Sequence, residues 1–139
     1  MTTRLASNQL IEDLKKEVEG LLYTSESDAP FEVTPLSWTG EKSPEKEDFI
    51  RLLELEEGTP IQTQRLDTFF KPLLKSYDWF GEEETATLER YQKLKEYVTT
   101  QLTHTQVYRV GEVEIKVYIV GETIDQQWVA LKTEATETE

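Results

Sequence analysis

Residues Gln106–Val120, QVYRVGEVEIKVYIV, decide the fold. Two β-rich segments, Gln106 to Val110 and Val113 to Val120, flank Gly111-Glu112, a two-residue link of the Gly-X kind that favours a tight hairpin. In the second segment Val113, Ile115, Val117 and Ile119 fall on one face, because strand side chains alternate with period two. On the other face Glu114 and Lys116 are polar while Tyr118 and Val120 are not, so that face is covered over part of its length. The pattern predicts a sheet with helices on both sides.

Working outward, Gly81-Glu82-Glu83-Glu84 opens the longest helix, with three acids where the helix dipole is positive and a stripe of Leu88, Tyr91, Leu94, Val98 and Leu102. Downstream, Trp128 to Leu131 reads as a last strand, and Thr133 to Glu139 as an acidic, hydroxyl-rich tail. At the other end Leu10, Ile11, Leu14, Val18, Leu21 and Leu22 recur at steps of three and four behind Ser7, an N-cap residue type, predicting a first amphipathic helix. Tyr23 to Pro30 is rich in hydroxyls, acids and proline and reads as an exposed loop. Phe31, Val33, Leu36 and Trp38 then suggest a strand that Pro35 restricts to an edge. Ser43-Pro44-Glu45 is a helix start, with Phe49, Ile50, Leu53 and Leu55 supplying its apolar face up to Gly58. Ile61 to Arg65 forms a brief strand, and Asp67 caps a turn of helix carrying Phe69 and Phe70 that Pro72 limits.

The length of 139 residues predicts one domain, 1–139, ending in an acidic tail at about 134–139. Fifteen basic residues against 28 acidic ones leave a formal charge of −13, which repels phosphate backbones and anionic lipid and attracts basic proteins. Direct nucleic-acid and membrane partners are therefore not expected. Zero cysteines exclude disulfides and thiolate chemistry and suit a cytoplasmic protein, and no apolar run resembles a signal peptide or a membrane span.

Catalytic motifs are missing. His104 is the only histidine, so neither a His/Cys metal cluster nor a Cys/His nucleophile pair exists, and its place after the long helix suits a capping or loop role. Six glycines provide no phosphate loop or nucleophile elbow. With 28 acids, adjacent carboxylates such as Glu82-Glu83-Glu84 are better read as compensating a helix dipole than as an acid/base pair. No cofactor is expected. What stands out is the placing of acids and aromatics at segment ends: Glu26 between Ser25 and Ser27, and Asp78-Trp79-Phe80 ahead of the long helix. Trp is a frequent interface anchor, although a Trp in that position also packs as a staple onto its own helix.

Two blocks carry a family resemblance. Glu19 to Val33, EGLLYTSESDAPFEV, resembles the loop region of the nuclease A inhibitor family. Asp78-Trp79-Phe80, the helix through Tyr91-Gln92-Lys93-Leu94, and Gln106 to Thr123 are similar to the same family in order and spacing, whereas Leu36 to Leu74 matches poorly. The resemblance implies an α+β fold: a three-layer α/β/α sandwich on a mostly antiparallel mixed sheet, similar to the pathogenesis-related-type fold. It implies a non-enzymatic inhibitor, a monomer when free, that plugs the basic cleft of a Mg²⁺-dependent, sugar-non-specific DNA/RNA endonuclease.

Carried onto this chain, the partner-binding residues are Glu26 with Ser25 and Ser27, Tyr77, Asp78 and Trp79, and Thr138 with Glu139. Of these, the resemblance gives Thr138 a metal contact, in trans, to the partner's Mg²⁺. Two positions depart from the family pattern. Tyr77 stands where the family has a Gln, and Glu139 follows Thr138, where the family's chain ends on its Thr. Both point to a related nuclease as the target, with Glu139 offering further oxygen ligands suited to a hard cation. Two other classes stay open: an acidic, DNA-mimic-like interaction module with a basic partner that is not a nuclease, and an enzyme working through surface carboxylates.

Overall fold

A computed structural model describes residues 4–24 and 26–137. The helices are α1 (Ser7–Val18), α2 (Lys46–Leu52), α3 (Leu66–Phe70) and α4 (Glu82–Gln101), with a 3₁₀ turn at Lys71–Leu74. The strands are β1 (Leu22–Thr24), β2 (Asp28–Pro30), β3 (Glu32–Leu36), β4 (Ile61–Gln64), β5 (Thr103–Val110), β6 (Glu114–Glu122) and β7 (Trp128–Thr136). The class is α+β. β1 and β2 form a hairpin of their own, and the other five strands form one sheet in the order β3-β7-β6-β5-β4. Each of its ladders among the described residues is antiparallel, so the mixed sheet expected from the resemblance is not what forms.

Alternation along the central strands sorts their side chains into two clusters. Val107, Ile115, Val117, Ile119, Val129 and Leu131 pack with Leu10, Leu14 and Val18 of α1, Phe69 and Phe70 of α3, and Tyr91, Leu94 and Val98 of α4. The opposite residues, Tyr108, Val110, Tyr118, Val120, Trp128 and Ala130, pack around Phe49 of α2. Phe49 stacks on Tyr108 with ring centroids 4.1 Å apart, and the Trp128 indole donates to the Gly40 carbonyl at 3.2 Å. Both faces are covered, as the Tyr118/Val120 pattern predicts. Pro35 sits in β3, an edge strand paired only with β7, where the missing N–H costs least.

Several sequence expectations need correction. The first helix stops at Val18 instead of reaching Leu22, because Gly20 adopts φ +72°, and Leu22 passes into β1. Arg90 of α4 covers the freed end by donating to the carbonyls of Glu17 at 2.9 Å and Glu19 at 2.7 Å. Ser7 is the first helical residue and not the cap; its N–H and hydroxyl both reach the Asp125 carboxylate at 3.0 Å. That carboxylate sits below the usual carboxylate range, chiefly because the Thr123 hydroxyl donates to it and then through Ser7.

The second helix begins at Lys46, with Glu45 as its N-cap and Asp48 accepting the Glu45 N–H at 3.2 Å, so Ser43-Pro44 lies outside it. The hairpin link is three residues, Gly111 to Val113, and Val113 is 51% exposed instead of sharing the inner face. Gly111 holds φ +111°, and a Cβ there would meet the Glu114 carbonyl oxygen at 2.4 Å. His104 lies inside β5, neither loop nor cap, with Nδ1 3.1 Å from the Glu122 carboxylate. Finally, Thr133 to Thr136, read as tail, continues β7: Thr133 and Ala135 are buried, and Thr136 pairs with Glu114.

Candidate functional site

Tyr23 to Pro30 is a hairpin and not an open loop, and it is tied to the far end of β7. The Glu26 N–H donates to the Thr136 carbonyl at 3.3 Å, the Ser27 and Thr136 hydroxyls lie 2.9 Å apart, and the Thr133 hydroxyl donates to the Pro30 carbonyl at 3.1 Å. From the other side the Tyr91 phenol of α4 donates to the Leu22 carbonyl. Burial raises that phenol's pKa, so it stays a donor.

Between this hairpin and the start of α4 lies a depression of about 1090 Å³. One wall is Tyr23, Thr24, Glu26 and Asp28; a second is Pro72, Leu73, Lys75, Tyr77, Trp79 and Phe80. Glu83, Glu84, Thr87, Leu88 and Tyr91 of α4 complete it with Thr136 and Glu137 at the end of β7. The lining holds five carboxylates (Glu26, Asp28, Glu83, Glu84 and Glu137) against one cation, Lys75. Its field favours a cationic visitor.

The rim is aromatic and locally built. A turn closed by Phe80 N–H to the Tyr77 carbonyl, at 3.0 Å, presents three rings. Tyr77 stacks on Trp79 at 5.9 Å, and Trp79 meets Phe80 edge-on at 4.8 Å. Directly after it, the Glu84 carboxylate accepts the Gly81 N–H at 3.2 Å, fixing the start of α4. Trp79 is nevertheless 70% exposed and Tyr77 45%, so the staple role that a Trp ahead of a helix suggests does not apply. A stacked, half-wet pair of rings on a helix start is a large apolar area already ordered before any contact is made.

Of the residues singled out from sequence, Glu26, Tyr77 and Trp79 line this one depression. Ser27 and Asp78 are exposed beside it and do not line it. Ser25, Thr138 and Glu139 lie outside the described residues, although Glu137, immediately before Thr138, is in the wall. Sequence reasoning missed Lys75 and the floor residue Tyr91, which reads only as a core position of its helix. It also missed Arg109, 8% exposed, whose guanidinium pairs with the Glu137 carboxylate. A charge within the run Val107-Tyr108-Arg109-Val110 is the signal that would have found it, because a buried cation needs a partner. Among the described residues no group of three or more His, Asp or Glu is arranged to hold a metal, and no helix is long and apolar enough to cross a membrane.

Fold and groove together define an acidic α+β protein with a preformed, aromatic-rimmed anionic depression. A family model described as nuclease A inhibitor-like protein matches residues 8–138, and the chain belongs to that family. No curated protein matches it.

Proposed function

We propose that this chain is a protein inhibitor that binds and blocks the active site of a Mg²⁺-dependent, sugar-non-specific endonuclease without being turned over. One observation carries the reading: Glu26, Tyr77, Trp79 and Glu137, from three segments that together span more than 100 residues of sequence, converge on a single groove with five carboxylates and one lysine. Nuclease clefts are cationic because they hold phosphates, so this groove competes for the surface that DNA uses.

In this mechanism the acidic groove speeds encounter, Glu26 pairs with cationic groups of the cleft, and Trp79 with Tyr77 packs against its wall. Ser25, Ser27 and Asp78 fill in around them as polar contacts. Thr138 and Glu139, following directly on Glu137, approach the partner's Mg²⁺, with oxygen donors that a hard cation prefers. The scaffold is a single domain of the three-layer α/β/α, pathogenesis-related-type kind, with α2 as the thin outer layer, and it works as a cytoplasmic monomer. A stable complex of this sort buries about 1,600 Å² in total.

The decisive experiment is a titration of the purified protein into a DNA-cleavage assay of a ββα-metal endonuclease with Mg²⁺, at several salt concentrations. Stoichiometric loss of cleavage is expected, with slower onset at higher salt. Undiminished cleavage at excess protein across a panel of such nucleases overturns the reading.

A further inference from the structure

Arg109 takes no part in the groove lining, yet it is the buried cation nearest in bonding to the groove's wall. It lies in β5 on the same face as Val107, opposite Gln62 of β4 and Val117 of β6, and its side chain is 10% exposed. Its guanidinium donates to the carboxylate of Glu137, the residue that follows β7. The Glu137 N–H donates in turn to the Val113 carbonyl in the β5–β6 turn, at 2.9 Å. One residue earlier, Thr136 accepts the Glu26 N–H and meets the Ser27 hydroxyl. Residues 136 and 137 are thus held by the acidic hairpin, by the turn and by a cation from the sheet interior. A surface acid needs no such arrangement, and a buried guanidinium is costly to keep there unless paired. Ordinary packing would place an apolar side chain at position 109, beside Val107 of its own strand and Val117 of β6.

We propose that Arg109 is a positioning residue: through Glu137 it fixes the end of β7, and so sets Glu26 and residues 136–137 in one rigid wall of the groove. Lysine would supply the charge without the planar fork that holds a carboxylate in one orientation.

Two measurements test this, and only the second rests on the inhibitor reading. The first is amide hydrogen exchange in the free protein. Arg109→Met, or Glu137→Gln should Arg109→Met fold poorly, is expected to speed exchange at Glu137 and Glu26 about tenfold or more, the scale of a lost charge-assisted hydrogen bond. Exchange at Ile119 in central β6 is expected to stay unchanged, and Arg109→Lys to restore part of the protection. Unchanged exchange at Glu137 and Glu26, or equal acceleration at Ile119, overturns the proposal. The second is affinity for a ββα-metal endonuclease with Mg²⁺. Arg109→Met is expected to raise Kd about tenfold in the parent chain and to add little in a Glu137→Gln background, where the pair is already broken. Equal losses in both backgrounds overturn the positioning role. If the unsubstituted chain inhibits no such nuclease while the exchange results come out as expected, the inhibitor reading falls and the positioning role stands.

Discussion

Replacing Trp79 by Ala separates binding from folding. A Trp side chain offers about 250 Å², and 70% of Trp79 is exposed, so about 175 Å² is available to a partner. At about 25 cal/mol per Å² its complete burial contributes about 4 kcal/mol. Alanine retains a fraction of that contact and a partner covers the ring incompletely, which brings the expected loss to about 2–3 kcal/mol, or a Kd raised about 30- to 150-fold. In the free protein Trp79 is 70% exposed and its ring packs against Tyr77 and Phe80 of its own turn, so the fold should lose less than about 1 kcal/mol. The assay pairs calorimetric or surface-capture affinity for a ββα-metal endonuclease with thermal melting of the free variant. A Kd within about threefold of the parent would refute the anchor role, and a melting loss as large as the binding loss would return Trp79 to the structural staple.

Glu26→Gln is expected to slow association at low salt and to converge with the parent at high salt, with dissociation little altered; stopped-flow rates at several ionic strengths check it. Asp125 binds the start of α1 through Ser7 and has a depressed pKa. Its stabilisation is therefore full above the ordinary value of 3.8 and is lost as pH falls through the lower folded value. Acid unfolding of Asp125→Asn should accordingly show a weaker pH dependence below about pH 4 than the parent does. The Tyr97 hydroxyl is buried without a hydrogen-bond partner among the described residues, and burial raises its pKa to about 12. Tyr97→Phe should be neutral or stabilising by up to about 1 kcal/mol in denaturant melts, and a clear loss would show that the hydroxyl has a partner after all. The same substitution should also remove part of the stability lost between pH 10 and about 12, followed by tyrosinate absorbance.

What the sequence disclosed was whatever its own local pattern enforces. The α4 stripe from Leu88 to Val98, whose last expected member Leu102 is the C-cap just beyond the helix, the two-faced alternation of β6, Pro35 at an edge and the short β4 all follow from periodicity or from a missing N–H. What it concealed depends on partners distant in the chain. β1 and β2 are three residues each, of loop-like composition, and persist because Tyr91 and Thr133 bond their backbone and Thr136 holds Glu26 between them. Thr133 to Thr136 has the composition of a solvated tail, yet its small and β-branched residues alternate with exposed ones against β6. The site divides the same way. Glu26 and Trp79 were visible as an acid and a ring at segment ends, where burial of a core residue is unnecessary. Their convergence was not, since it is made by a hairpin docking on β7, a contact across more than 100 residues.

The charge distribution also decides which parts of the groove set rate and which set residence. A net charge of −13 suggests attraction by the whole molecule, but at physiological ionic strength charges act over about 8 Å. Acids on the distal faces are therefore screened, and steering falls to the carboxylates that line the depression, chiefly Glu26, Asp28, Glu83 and Glu84, since Glu137 is paired with Arg109. A partner must desolvate the acids around that pair, so a large share of their attraction is offset once it arrives. The rings carry no such cost. Tyr77 and Trp79 are ordered before contact by their mutual stacking and by the capped start of α4, so little side-chain entropy remains to be lost on binding. Salt should accordingly act on the approach to a partner, and the aromatic rim on how long the partner stays.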